Sequence, residues 1–166
     1  LWHTLSLHDA LPIYPKQRKH TRAAVSGEPL IDKPAIQDSL DLLNYPLYFL
    51  EIETFNPALP LFPGYHPYEH IVFQYSLFRV DQSGAEAQHA EYLVTAPKDP
   101  APEIVTHLLN DLGPTGSVIV WNQVFEAQRN KDLAGHCPEG AGRLLGINER
   151  LFDLMKIFKD GHYVHP

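Results

Sequence analysis

The chain has 166 residues, 44% of them hydrophobic and 20% charged, with a formal net charge of −7. That composition suits one globular core, and no apolar run approaches the roughly 20 residues that span a bilayer, so a membrane protein built on spanning helices is excluded. A single cysteine, Cys137, excludes an internal disulfide and a cysteine-built zinc cage; an exposed thiol and a cytoplasmic location are expected.

The charge is unevenly spread. Lys16, Arg18, Lys19 and Arg22 are four of the thirteen lysines and arginines; the other nine face nineteen acids, Asp9 being the only acid before Ala23. From Ala23 onward the chain carries no electrostatic footprint for nucleic acid. The basic cluster can touch phosphate, but its polar setting reads first as a solvated linker.

In chain order, residues 4–13 read TLSLHDALPI, the translation of one frame of a common short-read sequencing adapter. Residues 1–13 are therefore set aside as an artefact, and the chain is expected to be a gene fragment. Residues 14–30 read as a polar linker and 31–166 as a partial domain. Asp32 is placed to cap a short helix with Pro34 in its first turn and Ile36, Leu40 and Leu43 on one face. A strand follows over 47–54, then a proline-dense irregular loop over 56–68. Strands are expected over 71–80 and 90–95. An amphipathic helix over 102–112 turns Ile104, Val105, Leu108 and Leu109 inward and stops at Gly113-Pro114. A short buried strand over 117–121, a helix from Gln123 to about Leu133, a short helix near Leu144 and a last strand over 151–155 complete the pattern.

The chemistry-bearing residues lie at two places. In Glu51-Ile52-Glu53-Thr54, strand alternation puts both glutamates on one side and Ile52 on the other. Two adjacent carboxylates at the end of an otherwise buried strand repel each other and lose hydration unless a cation lies between them, and hard divalent ions favour such all-oxygen sites. In Trp121-Asn122-Gln123-Val124-Phe125-Glu126, Asn122 is an N-cap and Glu126 falls in the first turns of the following helix. Taken alone, the first motif is also an amphipathic strand end, and the second a helix whose acid complements the macrodipole. His66 and His70 have zinc spacing on a helix, but Pro67 opposes a helix there, and His162 and His165 have no visible third ligand. Tyr65, His66, Tyr68 and His70 either stack bases or staple the loop to the sheet.

At these motifs the sequence resembles the DEDD-type exonucleases of the ribonuclease H-like superfamily, and within it a bacterial family known only as a domain of unknown function. The stretches that carry the resemblance are YPLYFLEIETFNPALPLF from Tyr45, HPYEHIVFQYSLF from His66, VWNQVFEAQR from Val120, RLFDLMKIF from Arg150 and the tail from Tyr163 to Pro166. The resemblance implies an α/β fold: a ribonuclease H-like mixed sheet, three antiparallel strands then parallel ones, with helices on its faces, here truncated at its C-terminus. It implies that Glu51, Glu53 and Glu126 are catalytic and hold two Mg²⁺ or Mn²⁺ ions in the intact domain. Thr54, Phe55 and Asn122 would contact substrate, and Asp153 is secondary. The substrate would be the 3′ end of a single-stranded nucleic acid, cleaved by a two-metal mechanism, with an additional nuclease domain possible upstream in the full-length chain. Two departures stand out. Glu51 replaces the usual aspartate, and the family's last Tyr/His-x-x-x-Asp is absent. The fragment itself is therefore expected to be inactive, and the competing expectation is an inactive ribonuclease H-like binding or scaffold module.

Overall fold

The structure, a computed structural model, describes residues 14–166. The adapter-like segment lies outside the described residues.

The chain divides into two compact units, Leu43–Leu154 and a second that joins residues up to Leu42 with Met155–Pro166.

The larger unit is built on β2 (Leu47–Phe55), β3 (Ile71–Val80), β4 (Gln88–Leu93), β5 (Ser117–Val120) and β6 (Leu151–Asp153). Its five strands lie in the order β4-β3-β2-β5-β6. The β2–β3 and β3–β4 pairs are antiparallel, and β2–β5 and β5–β6 are parallel. This is the mixed α/β sheet expected from the sequence. Helices α3 (Ala101–Asp111), α4 (Gln123–His136) and α5 (Ala141–Asn148) connect the later strands, with a single 3₁₀ turn at Pro138–Gly140.

Strand alternation decides where the core lies. In β2, Tyr48, Leu50 and Ile52 are buried, and in β3 Tyr75 and Leu77 stand beside Ile52 and Leu50 on the same face. Ile104, Leu108 and Leu109 of α3, Leu133 and Ala134 of α4, and Leu144 and Ile147 of α5 close that face into one apolar cluster. Each such aliphatic side chain contributes about 1.5–3 kcal/mol on leaving water. The four inward residues read for the 102–112 helix are all buried. Gly116, at φ 90°, sits where a Cβ would come within 2.0 Å of the Pro46 carbonyl oxygen, so only glycine lets the chain enter β5 there.

Three sequence expectations differ from the structure. Where a linker is expected, α1 (Pro15–Ser26) forms, with Pro15 in its first turn and Gly27 closing it in the left-handed region at φ 70°. The last strand stops at Asp153, and Met155 opens a short helix, α6 (Met155–Lys159). Cys137 is half-buried against the core instead of exposed, and burial, aided by Asp99, pushes its thiol pKa up.

In the smaller unit, β1 (Leu30–Ile31) pairs antiparallel with β7 (Tyr163–Val164). Asp32 donates its backbone N–H to the His162 carbonyl (2.8 Å), and its carboxylate caps α2 (Lys33–Leu40) by accepting from Ala35 (3.2 Å). Ala23, Ile157 and Val164 are its buried apolar residues. Among the described residues no helix is long and apolar enough to cross a membrane.

Candidate functional site

On the sheet face opposite the core, β2 presents Phe49, Glu51 and Glu53, all exposed, as the alternation requires. Their antiparallel partners on β3 are Phe78, Ser76 and Gln74. The parallel partner β5 accompanies β2 only through Leu47, Tyr48 and Phe49. Among the described residues no strand lies beside that edge of β2 beyond Phe49, so its backbone must find other partners.

Glu126 supplies one. Asn122 caps α4 by accepting the Phe125 N–H on its side-chain oxygen (3.4 Å), and the Glu126 N–H donates to the Asn122 carbonyl (3.1 Å). Fixed in that first turn, the Glu126 carboxylate accepts a hydrogen bond from the Ile52 backbone N–H. The side chain is 6% exposed, and its Oε2 has no hydrogen-bond partner among the described residues. Burial first, and then the nearby Glu51 and the weaker influence of Glu53, raise its pKa to about 8 against the pull of Arg129. Arg129 is itself engaged: its guanidinium pairs with Asp132 (2.7 Å) and lies 4.8 Å from the Phe125 ring centre.

A cavity of about 640 Å³ opens beside these groups, lined by Glu51, Ser76, Asn122 and Glu126 on its polar side. Phe49, Phe78 and Trp121 form much of its apolar side. The structure therefore brings Glu51, Asn122 and Glu126 to one cavity. Glu53 acts on Glu126 through its charge but does not line that cavity.

The other sequence candidates are not among its lining residues. Thr54 follows a bulge after Glu53, and its hydroxyl is 2.9 Å from His70 Nδ1. Phe55 packs on Phe73 (5.8 Å between centroids) and lines a second, apolar cavity of about 380 Å³. Asp153 ends β6 in register with Val120, partly buried; it does not line the acid cavity itself, although Val120 and Leu154 beside it do.

Two residues near the site were not singled out for it. Ser76 lies directly across from Glu51, which strand pairing alone reveals. His70, a zinc or stacking candidate in the sequence, instead bonds Thr54 and sets its ring edge-on to Phe125 at 5.7 Å. The proline-dense loop is stapled through Tyr65 to the end of α4, where a staple to the sheet is expected. Tyr65 is 7% exposed and stacks on His136 at 3.8 Å, whereas Tyr68 is exposed.

A family model described only as a domain of unknown function, DUF2779, matches residues 48–166, a span that contains every candidate site residue. Neither a curated protein nor a solved structure matches the chain.

Proposed function

We propose that this chain, which belongs to the DUF2779 family, carries the acidic site of a metal-dependent phosphodiesterase of the 3′–5′ exonuclease type, acting on single-stranded DNA or RNA in the cytoplasm. One observation carries the reading: Glu126, buried, with an unpartnered Oε2, lines the same cavity as Glu51 at the end of a central strand. A buried polar atom without a partner costs about 1–3 kcal/mol, and a bound cation between the carboxylates would remove that cost at Glu126. The strand order, with acids at the end of β2 and the start of α4, is also the arrangement that the ribonuclease H-like resemblance implies.

The donor set fits a hard divalent ion in its chemistry, since every ligand offered is a carboxylate oxygen. Among the described residues no three His, Cys, Asp or Glu side chains stand close enough to form a ready metal cage. Glu51, Glu53 and Glu126 would hold Mg²⁺ or Mn²⁺, and such ions supply charge neutralisation and an activated water for in-line attack on a phosphodiester.

The protein's own groups prepare that site. Ile52 fixes one oxygen of Glu126, Asn122 fixes the turn that bears it, and Asp132 draws off the Arg129 charge that would otherwise neutralise it. Without a cation, Glu126 holds a proton at neutral pH, because its pKa is about 8. Glu51 and Glu53 then repel a phosphodiester, so a cation must be taken up before the scissile group enters the acid cavity.

A binding or scaffold module is the second reading, favoured by the absence of a closed three-ligand cluster among the described residues. Calorimetric titration with Mn²⁺ separates the two. Uptake that releases close to one proton per chain at pH 7, and is lost in Glu126→Gln, supports the phosphodiesterase site. A chain that takes up no Mn²⁺ at millimolar concentration leaves the scaffold reading.

A further inference from the structure

The second charged feature lies in the smaller unit, and its cationic residues precede the span that the family model matches. A groove of about 560 Å³ runs along α1, with Arg18, Lys19 and Arg22 on one side and Leu30, Ile31 and Pro34 among its apolar lining. Lys19 is half-buried and donates its ammonium to the Gly161 carbonyl at 2.9 Å, which anchors that wall. Arg18 and Arg22 are exposed, one helical turn apart, and among the described residues neither enters an ion pair. Like charges at this spacing destabilise a helix by a few tenths of a kcal/mol, so α1 keeps a repulsion that an anion between the two guanidiniums would remove. Asp32 also lines the groove, but its carboxylate is spent on capping α2.

We infer that this groove takes the phosphate groups of a single-stranded nucleic acid. Planar guanidiniums present paired N–H donors that match phosphate oxygens, and the apolar lining accepts sugar and base edges beside them. The charge balance of the two units gives the groove a task. The larger unit holds six lysines and arginines against fourteen acids, a net of −8, while the described residues of the smaller unit hold seven against five. An acidic unit gains no affinity for a polyanion from its own surface, so the cationic groove supplies it. A lipid headgroup offers the same phosphate chemistry, but α1 has no apolar face to insert into a membrane: Ala23 is its only buried residue, and its polar side chains run all round. The assignment rests on the phosphodiesterase reading for its substrate class.

The test uses the whole chain, a fluorescent 15-nucleotide single strand and anisotropy in EDTA between 50 and 200 mM salt. Binding should weaken with salt, and Arg18→Gln/Arg22→Gln should lower affinity at least tenfold at 50 mM. The same pair should flatten the log–log salt slope by about 1.4, since each phosphate neutralised on a single strand contributes about 0.7. Arg18→Lys/Arg22→Lys should keep the slope. A control pair of equal charge change, Arg79→Gln/Lys131→Gln, lies outside the groove and should stay within threefold of the parent chain. Unchanged affinity and slope in the Arg18/Arg22 variant, or an equal loss in the control, overturns the groove. Capture on anionic phospholipid vesicles that depends on Arg18 and Arg22, with no binding of the oligonucleotide, overturns it in favour of a membrane. Mn²⁺ uptake that ignores Glu126→Gln, while oligonucleotide binding still needs the arginines, removes the metal-site reading alone and leaves the groove assigned.

Discussion

The two ends of α4 bury titratable groups in opposite ways. At its start, Glu126 has one oxygen on the Ile52 N–H and the other on nothing, with two further glutamates near it. At its end, His136 Nε2 lies 2.7 Å from Glu69 Oε1 while its ring stacks on Tyr65. Glu69 Oε2 accepts the His66 N–H (2.7 Å), and the Tyr65 hydroxyl donates to Asp99 (2.8 Å), which also accepts the Ala101 N–H (3.0 Å). Both clusters are made of the residue types that do chemistry. The satisfied one closes a loop onto the helix, whereas the other leaves an oxygen without a partner among the described residues, beside further carboxylates. Residue type therefore says little about which cluster is a site, and the hydrogen-bond inventory says a good deal.

The largest effect should come from breaking the satisfied end. Tyr65→Ala removes a buried ring, its stack on His136 and its bond to Asp99. A loss of about 3–5 kcal/mol in urea unfolding is expected, the cost of emptying a large aromatic site. A loss under 1 kcal/mol would mean that the loop is held by something other than this staple.

Changing one carboxylate at each end should sharpen the contrast, because the pH dependences have opposite signs. Glu126 has its pKa raised from 4.5 to about 8, so its contribution is fully present below pH 4.5 and is lost as pH rises through 8. Glu126→Gln mimics the protonated form; it should match the parent below about pH 4 and exceed it by roughly 2–4 kcal/mol above pH 9. Glu69 is the reverse case: burial pushes its pKa up, but the bonds from His136 and the His66 N–H outweigh it and hold the carboxyl below its usual 4.5. Its contribution is present above pH 4.5 and lost as pH falls through the lowered value. Glu69→Gln should cost about 1 kcal/mol at pH 6, a typical value for one hydrogen bond, and less at pH 3. Denaturant midpoints across pH 3–9 for both variants decide this, and parallel profiles would dissolve the distinction between the two ends.

How much of this was legible in the sequence follows from the range of each signal. The alternation in LYFLEIETF assigned Glu51 and Glu53 to one face, since a period of two is local and Leu50 and Ile52 mark the buried side. Asn122 before a run of helix formers gave both the start of α4 and the place of Glu126. The mixed α/β class followed from the succession of strands and helices, read together with the family resemblance; the order of the strands in the sheet was not read from the sequence. Helix α1 was missed because its charged, polar sequence has no apolar stripe, although Pro15 and Gly27 are ordinary start and stop signals. The staple was open between two readings because Glu69 and His136 stand 67 residues apart, and no local pattern links them. The orphaned Oε2 of Glu126 was out of reach for the same reason, since it depends on where β5 stops accompanying β2.

The smallest expected effect tests whether the cap or the burial sets the behaviour of the first end. The Asn122 side chain accepts the Phe125 N–H over 3.4 Å, a long bond, so Asn122→Ala should cost near the lower limit for a lost cap, about 0.5 kcal/mol. That loss should be the same at pH 5 and pH 9. The turn that carries Glu126 is also held by its own N–H on the Asn122 carbonyl (3.1 Å), which alanine keeps. The carboxylate then stays buried beside Glu51, and its titration stays where burial puts it. Asn122→Asp restores the cap but brings another negative charge to the cavity, so it should push the Glu126 titration higher and make the chain less stable above pH 8 than Asn122→Ala. If Asn122→Ala instead flattens the pH profile as far as Glu126→Gln does, the capped turn and not the buried carboxylate governs this end of α4. Its contrast with the His136 end would then be one of helix capping alone.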